Sequence, residues 1–144
     1  DAFRTIGKDV HVGYFSMNYD VAKLVMDKPT TKALGGIVAI DHYVKSPEKM
    51  IEDIVKIKES SGGQVYLGEI GAPIPDIHGK MSESAQAAWI NSTLELLRQS
   101  KSVIGINYWV SNGGSTRLWE DDGRARESVA VVTSFFQRLE THTK

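Results

Sequence analysis

The chain contains no cysteine. That excludes disulfides and thiolate zinc sites, and leaves the cellular compartment open. Charge of one sign is missing too: the formal net charge is -1. Nucleic acid and anionic membrane surfaces call for a basic excess that is not there. No apolar run approaches the roughly 18 residues of a membrane span, and no signal peptide is visible. Asp1-Ala2-Phe3-Arg4 reads as the inside of a helix rather than a natural start, and no initiator Met precedes it. Neither GxGxxG nor a P-loop occurs, so a nucleotide fold has no direct support. What is there suits one globular domain with a real core: 144 residues, 41% hydrophobic and 24% charged.

Four short runs rich in β-branched and aromatic residues predict strands: Val10–Met17, Gly36–Val44, Val65–Ala72 and Val103–Val110. Helical patterns lie between them. Ser46-Pro47-Glu48 opens one, with Ser46 as N-cap and Pro47 in the first position. Met50, Ile51, Ile54, Val55 and Ile57 form its apolar face, and Ser60-Ser61-Gly62-Gly63 stops it. Another opens at Ser82 with an expected face of Ala85, Ala88, Trp89, Ser92, Leu96 and Leu97. A last one follows Gly123 and carries Val129, Val132, Phe135, Phe136 and Leu139. Pro29 limits the segment after Tyr19 to a short helix over Val21–Met26, then a loop, with room for another turn over Thr31–Leu34. Strands alternating with helices imply parallel pairing with right-handed crossovers. A doubly wound sheet and part of a (β/α)8 barrel both remain open.

Either architecture gathers its site at the C-terminal strand ends. Polar and aromatic residues collect there: Ser16 and Asn18, Asp41 to Tyr43, Glu69, and Asn107 to Asn112. Glu69 is the most telling. It sits in QVYLGEIGA at the end of an apolar strand, between Gly68 and Gly71. Burying it unpaired would cost several kcal/mol, and its small neighbours let another molecule approach closely. Such a carboxylate is suited to act as nucleophile or base. The plain alternative is a glutamate at a loop entrance.

Glu69, followed one strand later by Asn107-Tyr108-Trp109, resembles the C-terminal half of a retaining (β/α)8 glycoside hydrolase of clan A, the cellulase-type superfamily that includes family 5. The resemblance runs from about Lys8 to Leu139 and rests on the order of short motifs. It implies α/β architecture, with four parallel strand–helix units forming half of a TIM barrel, strands five to eight, over residues 1–144. It implies Glu69 as the nucleophile that ends the seventh strand. Trp109, ending the eighth, would stack on the sugar, often beside a strained peptide bond in that superfamily. Asp41-His42-Tyr43 resembles the sixth-strand His-x-Tyr element, whose Tyr hydrogen-bonds the nucleophile. Here Asp41 stands where the His would be. If Tyr43 keeps its role, strand alternation puts Asp41 on its face and His42 on the other. Thr116–Arg126 is similar to the family's closing hairpin, with Asp122-Gly123 as a tight turn. Residues Ala2–Gly7 look like the tail of a preceding helix.

The family's acid/base Glu, in an Asn-Glu pair ending the fourth strand, is absent, because a barrel needs eight strands and about 250 residues. Retaining chemistry needs two carboxyls about 5–5.5 Å apart. Asp41, Asp76, Glu120 and Asp121 are the candidates inside this chain, Asp41 the closest in topology, and self-sufficiency is not expected. Substrate contacts are expected from Trp109, Asp41, His42, Asn107, Asn112, Trp119 and His78. For His42, His78 and Trp119 the alternatives are a structural histidine, a loop residue and a hairpin packing residue. Trp89 and His11 read as structural. Asp41, His42, Asp76 and His78 match no metal-ligand spacing, so neither metal nor cofactor is expected. The implied ligand is an oligo- or polysaccharide. The implied partner is the missing N-terminal half-barrel, or a second copy, covering open sheet edges and an apolar face. An extracellular or envelope location follows from the resemblance alone. The rival readings are a non-catalytic carbohydrate-binding or scaffold protein, and an unrelated doubly wound domain.

Overall fold

A computed structural model describes Thr5, residues 14–16 and residues 18–142. His11 and most of Ala2–Gly7 lie outside the described residues. The elements run β1 (Tyr14–Ser16), α1 (Tyr19–Val25), α2 (Lys28–Ala33), β2 (Ile37–Asp41), α3 (Pro47–Ser61), β3 (Gln64–Ile70), α4 (Pro75–His78), α5 (Glu83–Gln99), β4 (Val103–Tyr108) and α6 (Glu127–His142). The strands form one sheet in the order β1-β2-β3-β4, and every neighbouring pair is parallel.

Capping chemistry sets the helix starts. Asn18, Asp27, Ser46 and Ser82 each accept a backbone N–H three residues on, at 2.8 to 3.3 Å. Gly62 ends α3 in the left-handed region, φ 68. Two expectations change. Asp27 caps a helix in which Pro29 occupies the first turn, so α2 starts where a loop was expected. The PIPDIHGK loop contains the short helix α4, likewise opened by a proline.

The core lies between the sheet and its helices. Val38, Ile40, Val65, Leu67 and Ile70 meet Met50, Ile54 and Ile57 from α3 and Ile90, Leu94 and Leu97 from α5, all nearly inaccessible. Each such side chain contributes about 1.5–3 kcal/mol by leaving water. The expected α5 face is rotated. Ala85, Ala88 and Ser92 are exposed, while Gln86, Ala87, Trp89, Ile90, Thr93, Leu94 and Leu97 face inward. The physical reason is Gln86, a polar residue with no exposure that hides the stripe from a hydrophobicity reading. Val55 and Phe136, expected on apolar faces, are also largely exposed.

The other side of the sheet has no helix against it among the described residues. Tyr66 lies between buried Val65 and Leu67 on alternating positions, so it projects to that side, where a Cβ on Gly105 would meet its ring. Tyr66 is exposed.

Candidate functional site

The C-terminal strand ends converge on Glu69. Asp41, the last residue of β2, is its register partner, reached through a shift in pairing after Ile40. Such an irregularity re-aims the side chains that follow it. Beyond the strand, His42 N–H donates to the Glu69 carbonyl at 2.8 Å, and Tyr43 Oη donates to Glu69 Oε2 at 2.8 Å. On the other flank Asn107 Nδ2 donates to the Gly68 carbonyl at 3.1 Å, and Trp109 N–H to the Ile70 carbonyl at 2.8 Å. The backbone around Glu69 is thus held from both flanks, and Tyr43 holds the carboxylate itself. It opens into a cleft of about 430 Å³ that Asn18, Tyr19, Asp20, Asp41, His42 and Tyr43 also line.

Burial, and then the hydrogen bond to Glu69, push the Tyr43 hydroxyl far above the ordinary tyrosine range. Tyr43 therefore stays protonated and remains a donor. Asp41 is only 7% exposed. Burial first, and the Glu69 charge second, raise its carboxyl above the usual carboxylate range. Its Oδ1 is buried and makes no hydrogen bond among the described residues.

His42 lines the cleft and is also a structural group. Its ring is buried, pairs through Nε2 with Asp53 Oδ2 at 3.1 Å, and stacks on Tyr19. It ties the loop after β2 to α3. Burial depresses its pKa below 6.5, against the opposing pull of Asp53. The unfolded chain then takes up a proton near 6.5 that the folded chain resists, so stability falls as pH drops through that value. Melting curves are expected to show a wild-type loss between pH 7 and 5 that His42→Gln reduces.

His78 is held within the chain. Nδ1 accepts the Ile74 N–H and Nε2 reaches the Val44 carbonyl, both at 2.9 Å. Its edge packs on buried Trp89. The ring fastens α4 to the strand-end loops and has no nitrogen left for a ligand. Glu120, a candidate acid, is held by Arg117 and Arg126. Arg117 first, then Arg126, outweigh the opposing effect of desolvation and lower its pKa, the wrong direction for a proton donor. Asp76 and Asp121 are exposed. Among the described residues no three His, Asp or Glu side chains converge as a metal site would require.

Trp109 follows β4 with 49% of its surface exposed, and Trp119 shows 41%. The Trp109–Val110 and Ala72–Pro73 peptide bonds are cis. Tyr108 Oη donates to the Thr116 and Ala72 carbonyls at 2.8 and 3.0 Å, and Val110 N–H donates to Thr116 Oγ1 at 3.0 Å. Asn112 Oδ1 accepts the Gly113 N–H of its own turn, while its backbone bridges to Trp119. The tight turn at Asp122-Gly123 forms as expected, with Gly123 at φ 84 and its N–H donating to the Glu120 carbonyl.

Gly71 fixes where Trp109 stands. A Cβ there would lie 2.4 Å from the Trp109 carbonyl and 3.0 Å from Thr116 Cγ2. Gly71→Ala is therefore expected to push the Trp109 segment outward. The melting temperature should fall by about 5 °C, and any ligand contact of the indole should weaken with it; calorimetry reads both.

Sequence reasoning gathered Asn18, Asp41, Tyr43 and Glu69 at one end of the sheet, and the fold brings them to one cleft. It missed Tyr19 and Asp20. Their signal was available: Asn18 caps a helix beginning directly after β1, and that delivers the first turn of α1 to the cleft.

No family model matches the sequence, and no curated protein matches it. Solved structures do. A GH128 (subgroup II) endo-beta-1,3-glucanase from Sorangium cellulosum is similar with TM-score 0.60 and 14% identity, over 74% of this chain and 44% of that one. A GH128 (subgroup VII) oligosaccharide-binding protein from Trichoderma gamsii gives TM-score 0.59 and 13% identity, over 73% and 42%. A beta-glucuronidase of an uncultured Clostridium sp. gives 0.55 and 17%, over 72% and 23%. The likeness shows a glycoside-hydrolase-like α/β fold. The chain spans less than half the length of each of these three.

Proposed function

We propose that residues 1–144 are the C-terminal half, strands five to eight, of a (β/α)8 catalytic domain of the clan A, family 5-like kind. It cleaves β-linked glycans with retention by double displacement. The observation that carries this reading is the 2.8 Å hydrogen bond from Tyr43 to Glu69 at the strand end, with a half-exposed Trp109 on the next strand. Glu69 is the nucleophile. Tyr43 holds one carboxylate oxygen, which leaves the other to attack the anomeric carbon. Trp109 offers a flat apolar face to a pyranose ring, and Asn107, Asn112 and Trp119 extend the contact surface. The sequential parallel order supports a barrel half over a doubly wound sheet, because doubly wound orders reverse at a switch point. The partial coverage of longer glycoside hydrolases supports it too.

The acid/base carboxyl belongs to the other half. Exposed Tyr66, and edge strands β1 and β4, are what that half, or a second copy, would cover. Light scattering of the purified chain tests this part. A dimer or larger species without turnover is expected. A stable monomer that turns over aryl β-glycosides would contradict it.

One observation favours a second reading, a non-catalytic saccharide-binding protein: two similar solved structures are GH128 oligosaccharide-binding proteins. Such a protein would keep Trp109 and be indifferent to Glu69→Gln.

A further inference from the structure

The cleft around Glu69 holds a carboxyl that folding alone does not explain. Asp41 is more than nine-tenths buried, and one of its oxygens has no partner among the described residues. It sits directly across the register from a second carboxylate. An unpaired buried polar atom and a like-charge neighbour both destabilise the fold. Neutral Asn has the same size and shape, so the acid is kept at some loss of stability. Groups held against stability in this way gather where a ligand completes them.

The surroundings say what kind of ligand. Asp20, Asp41 and Glu69 line the cleft with Tyr19 and Tyr43, and no lysine or arginine lines it. The nearby basic groups are engaged elsewhere. Lys49 and Lys56 lie on Asp53, and Lys23 lies over the Tyr19 ring. His42 faces Asp53. The cleft therefore offers acceptors and negative potential.

We propose that Asp41 is the specificity-determining residue of this subsite, accepting a donor from the ligand beside Glu69, and that the subsite selects amino sugars over neutral sugars and rejects uronates. The inference rests on the sugar reading above and deepens it. A ligand ammonium donates to the Asp41 carboxylate from the cleft and offsets the paired negative charge of Asp41 and Glu69. A hydroxyl does the first and only weakly the second. A uronate carboxylate adds a further acceptor to a site that no lysine or arginine lines.

Titration of the full chain with D-glucosamine, D-glucose and D-glucuronate, followed by NMR at neutral pH, separates the possibilities. The expected order is glucosamine, then glucose, then glucuronate, with about tenfold between the first two. In Asp41→Asn the gap between glucosamine and glucose should close while glucose binding persists, and the melting temperature should rise. Equal affinity for glucosamine and glucose in the wild type would overturn the inference and leave the sugar reading standing. So would a gap that survives Asp41→Asn. A lower melting temperature in Asp41→Asn would mark Asp41 as a structural group and overturn it as well. Failure of all three sugars to bind would overturn both.

Discussion

Mixed with an aryl β-glycoside bearing a dinitrophenolate leaving group, the chain is expected to release up to one equivalent of phenolate and then stall. Glu69→Gln is expected to release none, a loss of at least about a thousandfold in the first step. Such a leaving group departs as an anion without protonation, so the first displacement needs only the nucleophile. The second displacement needs a base to activate water, and that base lies outside this chain in the reading proposed above. The glycosyl group then stays on Glu69. A glutamine amide has no anionic oxygen with which to attack, although it fills the same space. Tyr43→Phe should keep the burst and slow it about tenfold to a hundredfold. It removes one charge-assisted hydrogen bond, worth about 1.5–3 kcal/mol, that positions the attacking group. Stopped-flow absorbance distinguishes the three proteins.

Gln86→Ala is expected to be the most destabilising substitution away from the cleft, by about 3 kcal/mol or more. That corresponds to roughly 10 °C in melting temperature. The Gln86 amide nitrogen lies 2.8 to 3.3 Å from the Ala72, Thr116 and Arg117 carbonyls and the Tyr108 hydroxyl. Its oxygen accepts from Arg126 Nε at 2.8 Å. One side chain therefore joins α5 to the end of β3, to the Thr116–Arg117 loop and to the turn before α6. Alanine takes a partner from each of these groups, including the Nε of a guanidinium that is only 12% exposed and keeps only its Glu120 pair. Gln86→Leu fills the volume and should rescue little, since the lost partners and not the cavity dominate. Thermal melts of both variants test this. A large rescue by leucine would mean that packing, and not polar satisfaction, holds this junction.

Gln86 also marks where the sequence stops being legible. Strand and helix identities follow from local physics. Apolar runs sit between breaks, and serine, asparagine and aspartate sit where caps are needed. Ser46-Pro47 and Ser82 place two helix starts without ambiguity. The phase of α5 does not follow, because a buried glutamine satisfied by five distant residues looks like a surface residue. The contacts of His42 and His78 are hidden for the same reason. Their partners Asp53 and Val44 are tertiary, and an imidazole reads alike whether it faces solvent or a carboxylate. Glu69 was visible because glycines flank a carboxylate at a strand end, a pattern that carries its own physical oddity. The burial of Asp41 and its orphaned oxygen appear only once β2 and β3 are in register.

The central claim is that Glu69 attacks a sugar. It is tested most directly by intact-mass spectrometry and peptide mapping of the chain after incubation with a dinitrophenyl 2-deoxy-2-fluoro-β-glycoside. The account predicts one added fluoroglycosyl group, in ester linkage to Glu69 and absent from Glu69→Gln. An unmodified chain, or a label that persists in Glu69→Gln, would contradict it.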